Sequence, residues 1–246
     1  MPEAFAKLTL SLRVAGVRSD GYHELDAVMV TVTEPHDTIE IVPADAIALV
    51  VSGEDAPDDA SNLAWRAADA CGARVALRLH KGIPAGAGLG GGSADAAAVL
   101  RALGADPALG ATIGADVPFC VRGGAARVRG IGEIVEPIDL PTRHVVIATP
   151  RFGCATADVY RAWDGLGGPH AEPNDLEPAA HHVEPRLVAF KAAVESAAGA
   201  SATLAGSGSS YFVLFDDEAA AVAARARVAN AIDGRVWLGR APAPSR

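Results

Sequence analysis

The chain has 246 residues, half of them hydrophobic and 21% charged, so it can bury a sizeable core and is too apolar to be disordered by default. Its 21 basic and 30 acidic residues leave a formal charge of -9, which argues against a general nucleic-acid or anionic-membrane surface. Cys71, Cys120 and Cys154 share no CxxC spacing, no apolar run approaches the ~20 residues of a membrane span, and the N-terminus lacks a secretory layout. The expectation is a soluble, acidic, cytoplasmic protein.

Phe5 to Leu12 alternates, with Ala6, Leu8, Leu10 and Leu12 on one face and Lys7, Thr9 and Ser11 on the other, the pattern of a strand. Further strands are predicted at Ala27–Thr33, Thr38–Val42, Ile47–Val51 and Val75–His80, separated by Asp, Gly and Pro clusters. Asn62 to Cys71 reads as a short helix capped by Ser61. A glycine-rich stretch follows, then an alanine-rich helix from Ser93 to Leu103, and Gly110–Asp116 reads as a turn. Arg127–Arg129, Ile134–Ile138 and His144–Thr149 read as strands, with a domain join near Leu140–Arg143. Beyond it, helices at Ala155–Trp163, Pro185–Ala197 and Glu218–Asn230 accompany strands at Tyr211–Phe215 and Arg235–Leu238, and Gly165–Pro173 reads as a flexible loop. Strands crowd the first eighty residues and helices come later, which favours an α+β layout over a βαβ repeat.

The strongest local signal is Pro84-Ala85-Gly86-Ala87-Gly88-Leu89-Gly90-Gly91-Gly92-Ser93-Ala94. Glycines let a backbone curl with its amides inward, and the helix that follows adds unpaired N-terminal amides and a positive dipole end. Together they suit a polyphosphate, although a plain Gly/Ala connector would read the same locally. No lysine follows the glycines, so a Walker A loop is excluded. The GxGxxG match at Gly86–Gly91 lacks both a directly preceding strand and the acid expected ~20 residues on. The His-Arg-Asp and Asp-Phe-Gly sequences of protein kinases are absent.

This loop resembles the nucleotide loop of the galactokinase–homoserine–mevalonate–phosphomevalonate (GHMP) kinase superfamily. Ala6-Lys7-Leu8-Thr9-Leu10, Asp20-Gly21-Tyr22-His23-Glu24-Leu25, Gly114-Ala115-Asp116-Val117-Pro118-Phe119 and Leu204-Ala205-Gly206-Ser207-Gly208-Ser209-Ser210 keep the same order along nearly the whole chain. The set is similar to the 4-diphosphocytidyl-2-C-methyl-D-erythritol kinase family of non-mevalonate isoprenoid biosynthesis. The resemblance implies a two-domain α+β fold, residues 1–142 and 143–246, with ATP and acceptor in the interdomain cleft.

It also implies roles. Lys7, one of only three lysines, would stabilise charge on the transferred phosphoryl group, and Asp116 would orient or deprotonate the acceptor hydroxyl. Without the family, Lys7 would read as an edge-strand charge and Asp116 as a turn stabiliser. The glycine loop through Ala94, with Asn62, Leu63 and Lys81, would hold ATP. Thr9, Tyr22, His23, Tyr160, Ser207 and Gly208 would meet the substrate, the aromatic rings offering flat faces to a pyrimidine. Magnesium is expected to arrive with ATP, its protein ligands unassigned. No nucleic-acid or membrane partner is expected. Two departures stand out: Thr9 replaces the group's usual Asn, and the Ser93–Asp116 interval is shorter than the family pattern by about one helix. A non-catalytic nucleotide sensor or scaffold, a homoserine- or mevalonate-type sister kinase, and a nicotinamide-dependent oxidoreductase remain the alternatives.

Overall fold

The computed structural model describes residues 1–243. Two long antiparallel strands, β1 (Glu3–Val17) and β2 (His23–Pro43), form a hairpin whose turn carries Asp20 and Gly21. The two strands expected at Ala27–Thr33 and Thr38–Val42 are thus one. Pro35, which cannot donate to a ladder, falls where the register with β1 breaks between Phe5 and Lys7, so pairing resumes on either side of it. β3 (Ala48–Gly53), β4 (Val75–Lys81), β5 (Ala125–Gly130) and β6 (Ile134–Pro137) complete a sheet of order β3-β4-β2-β5-β6, with β1 also on β2.

Helix α1 (Leu63–Ala70) is capped by Asn62, whose side chain accepts from the Ala64 amide at 2.9 Å, and not by Ser61. Ser61 turns back to Asp59 instead. Helix α2 (Gly91–Ala102) runs through the core, with Ala94, Ala96, Ala97, Ala98, Val99 and Leu100 all buried. Alanine keeps the helix propensity high and lets neighbouring elements approach closely from every side. Where a turn was expected, Gly110–Ile113 forms α3, and α4 (Val117–Arg122) starts directly after Asp116 with Pro118 in its first turn.

A second sheet, order β10-β7-β9-β8, joins β7 (Arg143–Pro150), β8 (Thr203–Leu204), β9 (Tyr211–Phe215) and β10 (Gly234–Ala241). Helices α5 (Thr156–Gly165), α6 (Glu177–Val183), α7 (Arg186–Ala198) and α8 (Glu218–Ala231) belong to this half. Both β8 and α6 escape the sequence reading. A two-residue strand has no period to detect, and α6, seven residues long, is too short for a helical period to stand out.

The halves interlock. Arg240 donates its amide to Thr33 Oγ1 at 2.9 Å, and the Ala243 amide bonds the Thr31 carbonyl at 2.7 Å. On the other flank Leu12 bonds the Pro173 carbonyl and receives the Asp175 amide, both at 2.9 Å. Leu12 and Val14 of β1 accordingly pack in the second half's core, while Ala6 and Leu8 pack in the first. No helix among the described residues is long and apolar enough to cross a membrane.

Candidate active site

A cleft of about 940 Å³ opens between the halves, lined by β1, the glycine loop, the Gly114–Asp116 segment, the β1–β2 turn and α5. On β1 two residues of the face expected to be polar are buried as deeply as the apolar ones, Lys7 at 6% and Thr9 at 0% exposure. That face is covered by the glycine loop rather than by water. The Lys7 amide bonds the Leu89 carbonyl at 2.9 Å. Its ammonium lies 3.2 Å from Asp116 Oδ2 and 3.4 Å from Thr9 Oγ1. Residues 109 positions apart in sequence therefore form one ion pair. Thr9, the departure from the family pattern, still presents a hydroxyl to the lysine.

The loop holds its shape through glycine. Gly86, Gly88 and Gly90 all have positive φ, +65°, +75° and +70°. A β-carbon on Gly88 would collide with the Ala205 carbonyl, and one on Gly90 would sit 2.8 Å from Lys7 Cγ. The loop thus lies between β1 and the second glycine-rich turn. That turn bonds it directly: the Ser209 and Ser210 amides donate to the Gly86 and Ala87 carbonyls at 3.2 and 3.1 Å. Gly90 is the N-cap of α2 and brings no side chain, so the amides of Gly91, Gly92 and Ser93 meet no intrahelical acceptor. They are free to receive an anion at the positive end of the helix.

Asn62 and Leu63 flank the same end of the cleft, at the start of α1. Lys81, expected among the ATP-binding residues, lines the cleft near that end. It is 5% exposed, and its ammonium binds Asp37 Oδ2 and, at 2.7 Å, Asp95 Oδ2. Burial works against its charge, but Asp95 and Asp37 outweigh that and hold the ammonium above its usual range. Burial pushes the Asp95 carboxyl well up, against the pull of Lys81. Ala94 is buried beneath the loop.

At the other end, His23 Nε2 lies 2.8 Å from Asp164 Oδ1. Its ring packs at 4.7 Å on Tyr160 and edge-on at 5.7 Å to Trp163. Burial, with Asp116 nearby, raises the Tyr160 hydroxyl above its ordinary pKa. Tyr22, at the tip of the hairpin, is 60% exposed. Ser207 lines the cleft, 2.9 Å from Thr156 Oγ1. Gly208 does not: its carbonyl backs onto Gly88.

Sequence reasoning missed Trp163, Asp164, Asn174, Asp37 and Asp95. Asp164 lies one helical turn beyond Tyr160, and Asp95 is a lone charge in an alanine run, so both left a signal. Asn174 left none. Its amide group donates to the Leu204 and Gly206 carbonyls at 3.0 and 2.7 Å and so shapes the second glycine turn from thirty residues away.

The model of the GHMP kinases N terminal domain matches residues 62–124, and that of the GHMP kinases C terminal matches 165–233. A 4-diphosphocytidyl-2-C-methyl-D-erythritol kinase from Paracoccus denitrificans is 39% identical over 97% of this chain and 96% of its own length. One from Pelotomaculum thermopropionicum is 40% identical over 91% and 92%. A crystal structure of 4-(cytidine 5'-diphospho)-2C-methyl-D-erythritol kinase superposes with a TM-score of 0.80 at 32% identity, covering 98% of this chain and 99% of the other. A mevalonate kinase from L. major, at TM-score 0.72 and 12% identity, shares the fold. With both family models matched and these relatives aligned almost end to end, the chain belongs to the 4-diphosphocytidyl-2-C-methyl-D-erythritol kinase family of the GHMP kinases.

Proposed function

We propose that the chain transfers the γ-phosphoryl group of ATP to the 2-hydroxyl of 4-diphosphocytidyl-2-C-methyl-D-erythritol. The observation that carries this reading is the Lys7–Asp116 pair, 3.2 Å apart and within the same cleft as the uncapped start of α2. Phosphoryl transfer needs positioning and charge compensation more than covalent help from the protein. The amides of Gly91–Ser93 and the glycine loop would take the polyphosphate, with Asn62 and Leu63 toward the nucleoside. Asp116 would accept the hydroxyl proton as the acceptor oxygen bonds the γ-phosphorus. The bond to the bridging oxygen breaks, and ADP leaves. Lys7 would orient Asp116 and neutralise charge gathering on the transferred group. His23, Tyr160 and Tyr22 would frame the cytidyl end, with Asp164 and Trp163 fixing the His23 ring.

ATP of this kind travels with magnesium. Among the described residues no group of three or more His, Cys, Asp and Glu is arranged to hold a metal ion, and Asp116 is already engaged with Lys7. These residues do not make a protein-held metal site, and no step here runs through one. The change of sheet between Pro137 and Arg143 supports a division into 1–142 and 143–246, and use of ATP suits the cytoplasm.

Presented with ATP and, separately, the cytidyl acceptor, homoserine or mevalonate, the protein should release ADP with the cytidyl acceptor alone. Turnover on homoserine or mevalonate instead would move it to a sister activity. Tight ATP binding without transfer to any acceptor would make it a sensor.

A further inference from the structure

Three ionisable groups lie inside the first half and outside the chemistry just described: Asp37 at 0%, Asp95 at 1% and Lys81 at 5% exposure. Such a cluster is a poor source of stability, because desolvating the charges offsets most of their attraction and apolar residues of similar volume hold a core as well. Its connections point elsewhere. Lys81 ends β4, and Gly82 and Ile83 lead into the glycine loop; their amides donate to Asp37 Oδ1 at 2.6 and 2.8 Å. Asp95 sits in α2 just after the loop. Lys81 joins the two carboxylates, so one cation ties the chain entering the loop to the helix leaving it. The approach is close: a β-carbon on Gly91 would lie 3.1 Å from Lys81 Nζ. Asp95 Oδ1 has no hydrogen-bond partner among the described residues, and its carboxyl meets Lys81 through Oδ2, with Asp37 beside it.

Between those anchors the chain adopts positive φ at Gly86, Gly88 and Gly90, conformations that glycine permits but does not by itself select. A loop of that composition needs restraint at its ends if its amides are to point at a fixed place. We propose that Asp37, Lys81 and Asp95 are positioning residues, an ionic strap that sets the start of α2 against the loop entrance and so aims the phosphate-binding amides. This rests on the reading of the loop as a phosphate cradle. The strap touches no reacting atom; it acts through the backbone of residues 82–93.

The test compares ATP with adenosine, each binding to the parent and to Asp95→Ala by calorimetry. That substitution removes the helix end of the strap while Lys81 keeps Asp37 and alanine suits the helix. Asp95→Ala should weaken ATP by about tenfold or more, as misplaced binding groups do, and leave adenosine within about twofold. Asp95→Asn, which restores an acceptor for Lys81, should recover most of the loss. Should Asp95→Ala not fold, Asp37→Asn keeps an acceptor for the two amides, cuts the link to Lys81 and is read the same way. A lowered melting temperature with the ATP-over-adenosine preference unchanged would overturn the strap, as would equal losses for both ligands. A parent that binds adenosine as tightly as ATP would overturn the cradle reading itself and the strap with it.

Discussion

Asp116 precedes a short helix without capping it; its carboxylate reaches Lys7 instead. A turn-stabilising aspartate would spend its oxygens on nearby amides. Asp116→Asn is therefore expected to cut turnover by roughly 10²–10⁴-fold while leaving ATP binding intact, measured by steady-state kinetics and calorimetry. Lys7→Met should lower turnover as well. Because the two groups touch, the double variant should be little worse than the poorer single one, whereas independent contributions would multiply. Cys120 lies close to this pair. Burial, then Asp116, pushes its thiol up to about 12. In the folded protein it should resist alkylation at pH 8 and react only on unfolding, which mass spectrometry of labelled peptides reads directly.

Several elements were legible: β4 through its alternation and α2 and α8 through their alanine-rich composition fall within two residues of expectation, while β1 runs on from Leu12 to Val17. The discrepancies arise where long-range pairing decides. β2 runs through Pro35 because β1 and β4 pair with it on either side, which no local window contains. The glycine loop was legible as a phosphate motif, but its grip on Lys7 was not. Gly90→Ala puts a β-carbon 2.8 Å from Lys7 Cγ and asks alanine for φ +70°. It should cost about 1–2 kcal/mol of stability and lower turnover as well as ATP affinity. Thermal melting and kinetics check this; a stability loss with normal kinetics would detach the loop from the lysine. For Gly91, whose φ is not positive, the obstacle is Ile83 and Lys81 rather than the backbone, so the strain argument belongs to Gly90.

At the scale of the whole molecule, β1 is shared between halves, and Asp175 holds the joint. It is buried and accepts from the Val14 amide at 2.9 Å, the Ala171 amide at 2.9 Å and His170 at 2.9 Å. Burial opposes its ionisation, but those hydrogen bonds outweigh it, and the carboxyl is held below its usual range. A depressed folded pKa adds stability that is present above the unfolded value near ~4 and is lost as pH falls through the folded one. Asp175→Asn should thus destabilise by about 1–3 kcal/mol at pH 7, a gap that closes below pH ~4 in denaturant titrations. The joint matters because it sets the second glycine turn, which Asn174 holds, against Lys7: a β-carbon on Gly206 would lie 3.2 Å from Lys7 Nζ. None of this was visible in a sequence that offers motifs but no distances. ADP release measured against increasing 4-diphosphocytidyl-2-C-methyl-D-erythritol, in the parent and in Asp116→Asn, tests the account most directly. A saturable stimulation in the parent that collapses by at least about 10²-fold in the variant is the expected result. No stimulation in the parent, or equal stimulation in both, would contradict it.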